Sequence, residues 1–340
     1  MNVVGAVLCG GWGKRLHPIT LSIPKSLIEL KNGYTVLDRQ LLQMKHSGVD
    51  VVYLLVGFLR EKIKDRYKDE WRGVKLRYLE EDRPRGTLYG IRSLMLFAEA
   101  DAYLVMNGDV VTDINLRQML MEWKPGTMSM ALTRMVSPYG IVDIVNGKVV
   151  AFKEKPLLPY YLNAGVYVID KGLKPYFTMY EGGDVEKLVF PKLAEERLIN
   201  CYVEEGVFWR SIDSPKDLEA VREEFSNRDD KPWGYEKLLD LTGERMKKQV
   251  YVMKGFRTPL HFHERRHEAV HVVSGVGYIH IEEEDVKVKQ GDVVEIGPGK
   301  KHYIAAAENL TLLEYSTPHP NDVVSVNGSI TISLSKLSTV

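Results

Sequence analysis

The sequence VVGAVLCGGWGKRL, residues 3–16, carries the strongest indication of the fold. Its first half is a continuous apolar run, which is typical of a strand buried on both faces of a parallel sheet. The glycines that follow let backbone N–H groups come close to a phosphate chain, and the two cations after them can bind the same anion. We therefore predict an anion site at the carboxyl end of a first buried strand; a tight strand-to-helix connection is the alternative interpretation. The positions concerned are Gly10, Gly11, Gly13, Lys14 and Arg15.

The same pattern continues outward through the first two thirds of the chain. Apolar runs at residues 51–56 and 103–106 alternate with segments 36–48 and 87–98, in which apolar residues recur at helical spacing. Strands and helices in this order predict a Rossmann-like α/β domain with a mixed, mainly parallel sheet. Two further apolar runs flank Asn146-Gly147, a pair typical of hairpin turns, and predict an antiparallel excursion or simply a surface ribbon.

The character of the sequence changes near residue 229. Ser214-Pro215 predicts the start of a helix that ends near Phe225, and a polar run ending at Pro232 follows it. Beyond this run, alternating apolar and polar residues and glycine-rich turns are typical of antiparallel strands. We predict an α/β domain over residues 1–228 and an all-β barrel or sandwich over residues 229–340, in which residues 330–337 form an added edge strand or a loose end.

Composition restricts the classes of function. Of the 340 residues, 44% are hydrophobic and 27% are charged, which suits two buried cores and argues against disorder. Lys plus Arg equals Asp plus Glu at 46 each, so no overall charge favours nucleic acid or a membrane surface as a partner. The two cysteines, Cys9 and Cys201, lack a CxxC spacing, and the chain has no basic leader and no apolar run of membrane-spanning length. We expect a soluble protein of the reducing cytoplasm without a disulfide framework.

The glycine-rich loop continues with Pro18-Ile19-Thr20 and then Pro24-Lys25. With this continuation the sequence resembles the sugar-1-phosphate nucleotidyltransferases, whose signature is Gly-Gly-x-Gly-Thr-Arg-Leu-x-Pro-Leu-Thr-x-x-x-Pro-Lys. Lys14 stands in place of the threonine and Ile19 in place of the second leucine. Further matches follow in family order: Gly86-Thr87, Gly108-Asp109, Tyr139-Gly140, Glu154-Lys155-Pro156 and Asn163-Ala164-Gly165-Val166-Tyr167.

The resemblance implies a reaction and a role for each matched residue. These enzymes join an NTP to a sugar-1-phosphate by in-line attack on the α-phosphorus and release pyrophosphate, so positioning and charge neutralisation carry the catalysis. It implies that Arg15 clamps the triphosphate, that Lys25 neutralises the α-phosphate and that Asp109 holds Mg²⁺. The remaining matched residues are expected to contact the substrates: Gly10, Gly11, Gly13, Lys14, Gly86 and Thr87 the nucleotide, Lys155 the sugar phosphate, and Gly140, Glu154 and Asn163 the sugar hydroxyls.

The choice of base follows from the hydrogen-bonding capacity of one residue. The family reads the base with a residue about five positions before the Gly-Thr pair, often glutamine where the base is uracil or thymine, and this chain has Glu81 there. A carboxylate only accepts hydrogen bonds, and guanine offers two adjacent donors on its pairing edge. Guanine, and therefore GTP, is favoured; the alternative is that Glu81 is one of several solvated acids in residues 80–82.

The end of the site departs from the family pattern. The family commonly has Trp-x-Asp-Ile-Gly-Thr-Pro, in which the aspartate is the second magnesium ligand, whereas this chain has Ser211 at that place. Asp213 follows two residues later, and residues i and i+2 of an extended segment face the same side, so Asp213 could supply the carboxylate. If it cannot reach the metal, the alternative is a non-catalytic protein that binds a nucleotide sugar and regulates an active homologue.

Histidines cluster in the second domain, where seven of the nine lie between residues 261 and 319. His261 and His263 face the same side of a predicted strand, and Glu268 and His302 complete a set of three imidazoles and one carboxylate. Such a set suits a divalent transition metal such as Zn²⁺, Fe²⁺, Mn²⁺ or Ni²⁺.

The spacing of these four residues resembles the cupin double motif, Gly-(x)5-His-x-His-(x)4-Glu-(x)6-Gly followed by Gly-(x)5-Pro-x-Gly-(x)2-His. The first half matches from Gly255 to Gly275, and the second half departs only at Gly297, which stands at the proline position. The resemblance implies a cupin fold, a jelly-roll or double-stranded β-helix.

Segments at both ends of this domain narrow the resemblance to the type II phosphomannose isomerases; they are Pro232-Trp233-Gly234, Ser316-Thr317-Pro318 and Asp322-Val323-Val324. Such cupins occur fused behind nucleotidyltransferases, where the isomerase makes mannose-6-phosphate and the transferase consumes mannose-1-phosphate, so the fusion implies mannose as the sugar. The usual Val-x-Arg ending is missing, although a sugar phosphate needs a cationic partner. The cupin is therefore expected to be either an isomerase or a metal-binding sugar-recognition, regulatory or dimerising domain, and its sheet face is consistent with a homodimer.

Overall fold

The computed structural model describes residues 1–326, and the predicted edge strand at residues 330–337 lies outside the described residues. The chain forms two compact units, of which the first covers residues 1–222 and the second begins at Glu223. The predicted boundary near residue 229 lies a few residues after this division. Among residues 1–326, none of the helices has the length and apolar composition needed to cross a bilayer.

The first unit alternates strands and helices. Its strands are β1 (Val3–Cys9), β2 (Glu29–Lys31), β3 (Tyr34–Thr35), β4 (Val51–Val56), β5 (Glu70–Trp71), β6 (Val74–Glu80), β7 (Ala102–Asn107), β8 (Val110–Thr112), β9 (Met128–Val136), β10 (Ile141–Val145), β11 (Lys148–Lys153), β12 (Leu157–Asp170), β13 (Ile199–Val203) and β14 (Trp209–Ser211). The helices are α1 (Val36–His46), α2 (Arg60–Tyr67), α3 (Thr87–Phe97), α4 (Leu116–Glu122), α5 (Lys174–Thr178), α6 (Val185–Leu188), α7 (Phe190–Glu195) and α8 (Pro215–Phe225), with 3-10 turns at Lys14–Leu16, Ile19–Leu21, Lys25–Leu27 and Lys171–Leu173.

Eight of these strands form one mixed sheet in the order β13-β9-β12-β7-β1-β4-β6-β5. At its centre β1 is parallel to both β4 and β7, and β4 is parallel to β6. The long strand β12 is antiparallel to β7 and β9, whereas β13 is parallel to β9. The prediction of a mixed, mainly parallel sheet is confirmed, and the predicted hairpin is the separate ribbon β10–β11.

Strand β1 shows why its apolar run is continuous rather than alternating. Val7 and Cys9 are buried in the cluster on one face of the sheet, and Val4 and Ala6 are buried in the cluster on the other. Burying one such large apolar side chain contributes roughly 1.5–3 kcal/mol, so both faces of this strand are strongly specified. The loop that follows therefore starts at a well-defined point at the carboxyl edge of the sheet.

The second unit is built from antiparallel strands, as predicted for a cupin. They are β15 (Arg228–Lys231), β16 (Gly234–Leu241), β17 (Met246–Val252), β18 (His261–Phe262), β19 (Glu268–Ser274), β20 (Val276–Ile281), β21 (Glu284–Lys289), β22 (Val293–Ile296), β23 (His302–Ala306), β24 (Leu310–Ser316) and β25 (Val324–Ser325). They form a six-stranded sheet, β15-β16-β17-β24-β19-β22, and a five-stranded sheet, β21-β20-β23-β18-β25. One apolar core, which includes Trp233, Val252, Ile279 and Leu312, takes residues from both sheets.

Candidate functional site

A cavity of about 320 Å³ lies at the carboxyl ends of the central strands of the first unit, where an α/β sheet is expected to bind its ligand. Gly10 and Gly11 directly follow β1, Glu81 follows β6, and Gly86 precedes α3. The residues that line the cavity include these four together with Thr87, Lys25 and Asp109 from the predicted site. The parallel register of the sheet thus brings together residues that are far apart in the sequence.

The glycine-rich loop is tightly packed against the predicted base-reading residue. A Cβ atom added at Gly10 would lie 2.4 Å from Oε1 of Glu81, so a larger residue there would displace the Glu81 carboxylate from its present position. The backbone N–H of Arg85 donates to Oε2 of Glu81 at 3.2 Å. Burial raises the pKa of Glu81, although the Arg85 hydrogen bond and charge oppose that shift.

Aromatic residues at the edge of this loop were not assigned a role from the sequence. The Trp12 ring stacks on Phe58 with centroids 5.5 Å apart, and Trp12 also lines the cavity. The Lys14 ammonium lies 5.0 Å from the centre of the Trp12 ring, at cation–π distance. The sequence shows an aromatic residue, Trp12, inside the glycine-rich loop, but the contact of its ring with Phe58 depends on tertiary structure.

Three predicted residues, Lys25, Asp109 and Asp213, meet where Lys25 and Asp109 line the cavity; Asp213 itself lines a second pocket. Lys25 Nζ lies 2.7 Å from Asp109 Oδ2 and 2.8 Å from Asp213 Oδ1. Arg15 also reaches Asp213 Oδ1, at 2.8 Å, and the Ser211 hydroxyl donates to Asp213 Oδ2 at 3.0 Å. Partial burial acts to raise the pKa of Asp213, but the hydrogen bonds and charges of its partners, Lys25 foremost, lower that pKa below its ordinary value.

The pairing of two short strands explains why Asp213 lies beside Asp109. Strand β14 is antiparallel to β8, with Ser211 opposite Val110, and the Ile212 N–H donates to the Asp109 carbonyl at 2.9 Å. Because of this register, the residues that follow Ser211 lie beside Asp109. The carboxylate that the family pattern has at position 211 is therefore available from a residue two positions later.

Three of the four residues predicted to bind the sugar phosphate lie at the ends of the ribbon β10–β11. Lys155 Nζ lies 3.3 Å from Glu154 Oε1, and a Cβ atom added at Gly140 would lie 3.1 Å from Glu154 Oε2. Asn163 lies in β12, where its side chain donates to the Tyr167 hydroxyl at 2.8 Å and accepts from the Gly165 N–H at 2.9 Å. The structure thus brings Gly140, Glu154 and Lys155 together, but none of these four residues is among those that line the cavity.

Two predicted nucleotide-binding residues have structural contacts of their own. Thr87 Oγ1 donates to Glu186 and accepts from the Val185 N–H, both at 3.0 Å, which fixes α3 to α6. Gly13 has a left-handed backbone, with φ of 61°, immediately before the 3-10 turn that carries Lys14 and Arg15.

In the second unit, His261, His263 and His302 place one ring nitrogen each within 4.8 Å of one another. His261 and His302 face each other across β18 and β23. Burial, followed by the neighbouring His302, lowers the pKa of His261 to about 4, so this imidazole is neutral at physiological pH. A neutral imidazole is the form that binds a metal.

Backbone carbonyls orient all three rings. Nδ1 of His261 lies 2.8 Å from the Pro259 carbonyl, Nδ1 of His302 lies 2.9 Å from the Lys300 carbonyl, and Nδ1 of His263 contacts the carbonyl of Asp322. When Nδ1 donates to a carbonyl, the lone pair is on Nε2, which is the arrangement found around metal-binding histidines. The residues therefore fit a divalent transition metal.

Glu268 adjoins this cluster and is held by a charged residue that was not predicted. Its Oε1 lies 3.0 Å from His263 Nε2 and its Oε2 lies 3.4 Å from His302 Nε2. Nε of the buried Arg266 lies 2.8 Å from Glu268 Oε1. The Nη2 atom of Arg266 lies 2.6 Å from His263 Nε2, and its Nη1 atom lies 3.4 Å from Glu314 Oε1. Burial acts to raise the pKa of Glu268, but the neighbouring His263 and His302 and the Arg266 charge lower that pKa overall, so the carboxylate is ionised.

Comparison with known families gives two matches. The "Nucleotidyl transferase" family model matches residues 4–228, and the "Cupin domain" model matches residues 249–314.

Curated relatives match the first unit. The chain is 33% identical over 224 residues to mannose-1-phosphate guanylyltransferase 1 of Arabidopsis thaliana, and 31% identical over 223 residues to the mannose-1-phosphate guanylyltransferase catalytic subunit beta of Drosophila melanogaster. Both matches cover 62% of this chain and, respectively, 61% and 60% of the relative. The chain thus spans about three fifths of the length of the curated relatives it matches.

Solved structures match the same part of the chain. HddC from Yersinia pseudotuberculosis in complex with GMP-PN superposes with a TM-score of 0.54 at 22% identity, covering 66% of this chain and 100% of that one. The inositol-1-phosphate CTP transferase from T. maritima gives a TM-score of 0.50 at 19% identity, covering 66% and 97%. At these identities the likeness concerns the fold.

Proposed function

Because this chain belongs to the nucleotidyl transferase family, we propose that it transfers a nucleotidyl group from an NTP to a sugar-1-phosphate and releases pyrophosphate. We propose GTP and mannose-1-phosphate as its substrates. The relatives that are named mannose-1-phosphate guanylyltransferases support this choice, and so does the match to a cupin domain behind the transferase.

The observation that carries the proposal is the Lys25 ammonium held between the Asp109 and Asp213 carboxylates at the end of the cavity. In-line attack on the α-phosphorus concentrates negative charge there, and a fixed cation stabilises that charge more in the transition state than in the ground state. The two carboxylates offer the oxygen ligands that Mg²⁺ prefers, and Mg²⁺ bound there would neutralise phosphate charge.

The other residues of the site position the substrates. The N–H groups of the glycine-rich loop and the cations Lys14 and Arg15 bind the triphosphate, and Arg15 moves from Asp213 to phosphate when the nucleotide enters. Lys155 holds the phosphate of the sugar-1-phosphate, while Gly140, Glu154 and Asn163 contact its hydroxyls. Holding the attacking phosphate oxygen in line with the leaving pyrophosphate is the main contribution of these contacts.

The preference for guanine rests on Glu81. Its carboxylate lines the cavity beside Gly10 and accepts one backbone hydrogen bond, and its remaining lone pairs can accept from N1–H and N2–H₂ of guanine. A glutamine at this position would direct its NH₂ donor at one of these two N–H groups, and two donors cannot form a hydrogen bond with each other.

Pyrophosphate release, measured with four NTPs and several sugar-1-phosphates in the presence of Mg²⁺, tests the proposal. We expect turnover that is fastest with GTP and mannose-1-phosphate, and a loss of about 100- to 1,000-fold in kcat for Lys25→Ala, the usual effect of removing one transition-state contact. Lys75→Ala, which removes an exposed lysine of β6, is the matched control and should keep wild-type activity. Binding of nucleotide without turnover for any pair would replace the enzyme by a regulatory nucleotide-sugar-binding protein.

For the second unit we propose that His261, His263, His302 and Glu268 bind a divalent transition metal. The convergence of the three rings and their carbonyl anchors support this proposal. Isomerisation of a sugar phosphate is the activity that the cupin resemblance implies, and a coupled assay of mannose-6-phosphate formation from fructose-6-phosphate tests it. Formation that is lost in His261→Ala would support an isomerase; no formation by the metal-loaded protein would limit this unit to metal binding.

A further inference from the structure

Residues 317–326, which we call the strap, run alongside the stretch that carries three of the four proposed metal ligands, residues 260–268. At one end of the strap, the Thr317 N–H donates to the His267 carbonyl and the Thr317 hydroxyl accepts from the His267 N–H, both at 3.2 Å. At the other end, β25 is antiparallel to β18, the strand that begins at His261. The strap therefore follows the ligand-bearing stretch over nearly its whole length.

One residue of the strap, Asp322, contacts the turn between two of these ligands. Its carboxylate accepts from three consecutive backbone N–H groups: Oδ1 from Glu264 at 3.0 Å, and Oδ2 from Arg265 and Arg266, both at 2.8 Å. Its backbone carbonyl contacts Nδ1 of His263. Asp322 thus binds four consecutive residues, one of them through its carbonyl and three through its side chain.

The carbonyl that orients His263 differs from those that orient the other two imidazoles. Nδ1 of His261 and Nδ1 of His302 each face the carbonyl of the residue two positions earlier in the chain. The carbonyl at His263 belongs to Asp322, 59 residues further along. A carbonyl two residues away is placed by the local backbone, whereas one on a distant segment stays in place only if that segment is held.

The carboxylate of Asp322 provides that hold. Hydrogen bonds from N–H groups to a carboxylate are charge-assisted and stronger than those between neutral groups. An aspartate that only closes a turn accepts from N–H groups of the same turn, but the three donors to Asp322 lie 56 to 58 residues away in the chain. The same bonds fix the backbone of Arg266, whose guanidinium contacts both Glu268 and His263.

We propose that Asp322 is a positioning residue for the metal centre of the second unit. Its carboxylate fixes the strap to the turn after His263, and its carbonyl then holds the imidazole with Nε2 free to bind a metal. This role rests on the metal binding proposed above for His261, His263, His302 and Glu268. Because the carboxylate of Asp322 is taken up by backbone N–H groups, it acts through His263 and does not bind the metal itself.

The affinity of the full-length protein for Zn²⁺, measured by competition with a chromophoric chelator on protein purified without a histidine tag, tests this role. We expect Asp322→Ala to bind Zn²⁺ about 10- to 100-fold more weakly than the wild type, the usual effect of removing a partner that orients a ligand. Asp322→Asn keeps one oxygen acceptor but no charge, so its affinity should lie between the two.

The matched control is Asp292→Ala. Asp292 also accepts a backbone N–H, that of Lys289 at 2.9 Å, but it does so in a turn between β21 and β22. This variant removes a carboxylate of the same kind from the same unit and should keep the wild-type affinity for Zn²⁺. Circular dichroism and thermal melting check that each variant is folded.

A second measurement reports on the turn and on the ring without any added metal. Hydrogen exchange of the backbone amides of residues 264–266 should be about tenfold or more faster in Asp322→Ala, because each amide loses a bond to a charged acceptor. The ¹⁵N spectrum of the wild type should show the His263 proton on Nδ1, since a carbonyl only accepts. In Asp322→Ala the ring should populate both tautomers, while exchange elsewhere in the unit stays unchanged.

The possible results separate this role from the metal site on which it rests. A folded Asp322→Ala variant that binds Zn²⁺ as tightly as the wild type would overturn the positioning role and leave the metal site intact. An equal loss of affinity in Asp292→Ala, or faster exchange throughout the unit, would show a general loss of stability and overturn the role as well. A wild-type protein that binds none of Zn²⁺, Co²⁺ and Ni²⁺ would overturn the metal site itself, and the role of Asp322 with it.

Discussion

The two candidate centres of this chain are built in opposite ways. In the transferase unit, Lys25, Asp109 and Asp213 have side chains that are 15%, 26% and 31% exposed, and they are bound mainly to one another. In the cupin unit, His263, Glu268 and His302 are only 2–3% exposed. The first centre is an open group of charges that a polyphosphate and its cation can rearrange, whereas the second is a closed group of imidazoles and a carboxylate held by backbone carbonyls and by Arg266.

The contrast also concerns what holds each side chain. The cupin imidazoles are fixed by backbone carbonyls, which substitutions of other side chains do not remove. The transferase carboxylates are fixed by other charged side chains, so each substitution there changes the partners of the rest. Variants of the transferase centre are therefore expected to be coupled to one another, whereas coupling in the cupin centre is expected mainly through Glu268 and Arg266, which contact each other and His263.

The largest expected effect concerns the displaced carboxylate. Asp213→Ala should lower kcat/KM for pyrophosphate release by about 100-fold or more, because a ligand of the phosphate-bound cation is removed. Ser211→Asp combined with Asp213→Ala should recover part of the loss, since the Ser211 hydroxyl lies 3.0 Å from the Asp213 carboxylate and a longer acid can occupy the same space. Asp65→Ala, in the exposed face of α2, is the control. Wild-type activity in Asp213→Ala would show that the second carboxylate is elsewhere or is not needed.

A smaller effect on activity, but a large one on metal content, is expected in the cupin. Metal analysis of protein purified without a histidine tag should find about one ion per chain in the wild type and below about 0.1 in His261→Ala. The variant keeps only three of the four proposed ligands and is therefore expected to bind the metal far more weakly. His280→Ala serves as the control, since His280 stacks on Tyr303 outside the cluster. Pyrophosphate release should be the same in all three proteins. Unchanged metal content in His261→Ala would count against the site.

The smallest effect concerns base choice. Glu81→Gln should reduce the preference for GTP over UTP by about tenfold or more, because a bidentate contact to a base is worth about 1–3 kcal/mol. Since burial raises the pKa of Glu81, its protonation in acid should lower kcat/KM for GTP starting at a higher pH than for an ordinary glutamate, and Glu81→Gln should lack this decline. The control is Asp82→Asn, whose side chain is 90% exposed. An unchanged order of NTP preference in Glu81→Gln would assign base selection to another residue.

Local pattern was enough to predict most of the elements. The apolar run of β1 and the helical spacing of residues 36–48 correspond to β1 and to α1, which begins with a capping box at Thr35 and Asp38. Asn146 and Gly147, both with positive φ, form the predicted hairpin turn. These features depend on neighbours in the sequence, whose side chains and backbone preferences act directly on one another.

Contacts between distant segments could not be predicted in the same way. Nothing near Arg266 or Glu314 in the sequence indicates that they contact each other beside the histidine cluster, and the contact of Trp12 with Phe58 depends on how β1 and β4 align. The exposure of the apolar residues in the ribbon β10–β11 is of the same kind, because apolar runs such as residues 141–145 predict burial as readily as exposure.

The sequence by itself determined the order of strands and helices, the glycine-rich loop and the types of residue available to bind phosphate and metal, because these depend on local periodicity and on side-chain chemistry. Only the tertiary structure decided that Asp213 lies beside Asp109 in place of an acid at Ser211, and that the apolar residues of the ribbon β10–β11 are exposed in the single chain. Both outcomes depend on the register of strands that are far apart in the chain, and that register results from the packing of the whole sheet.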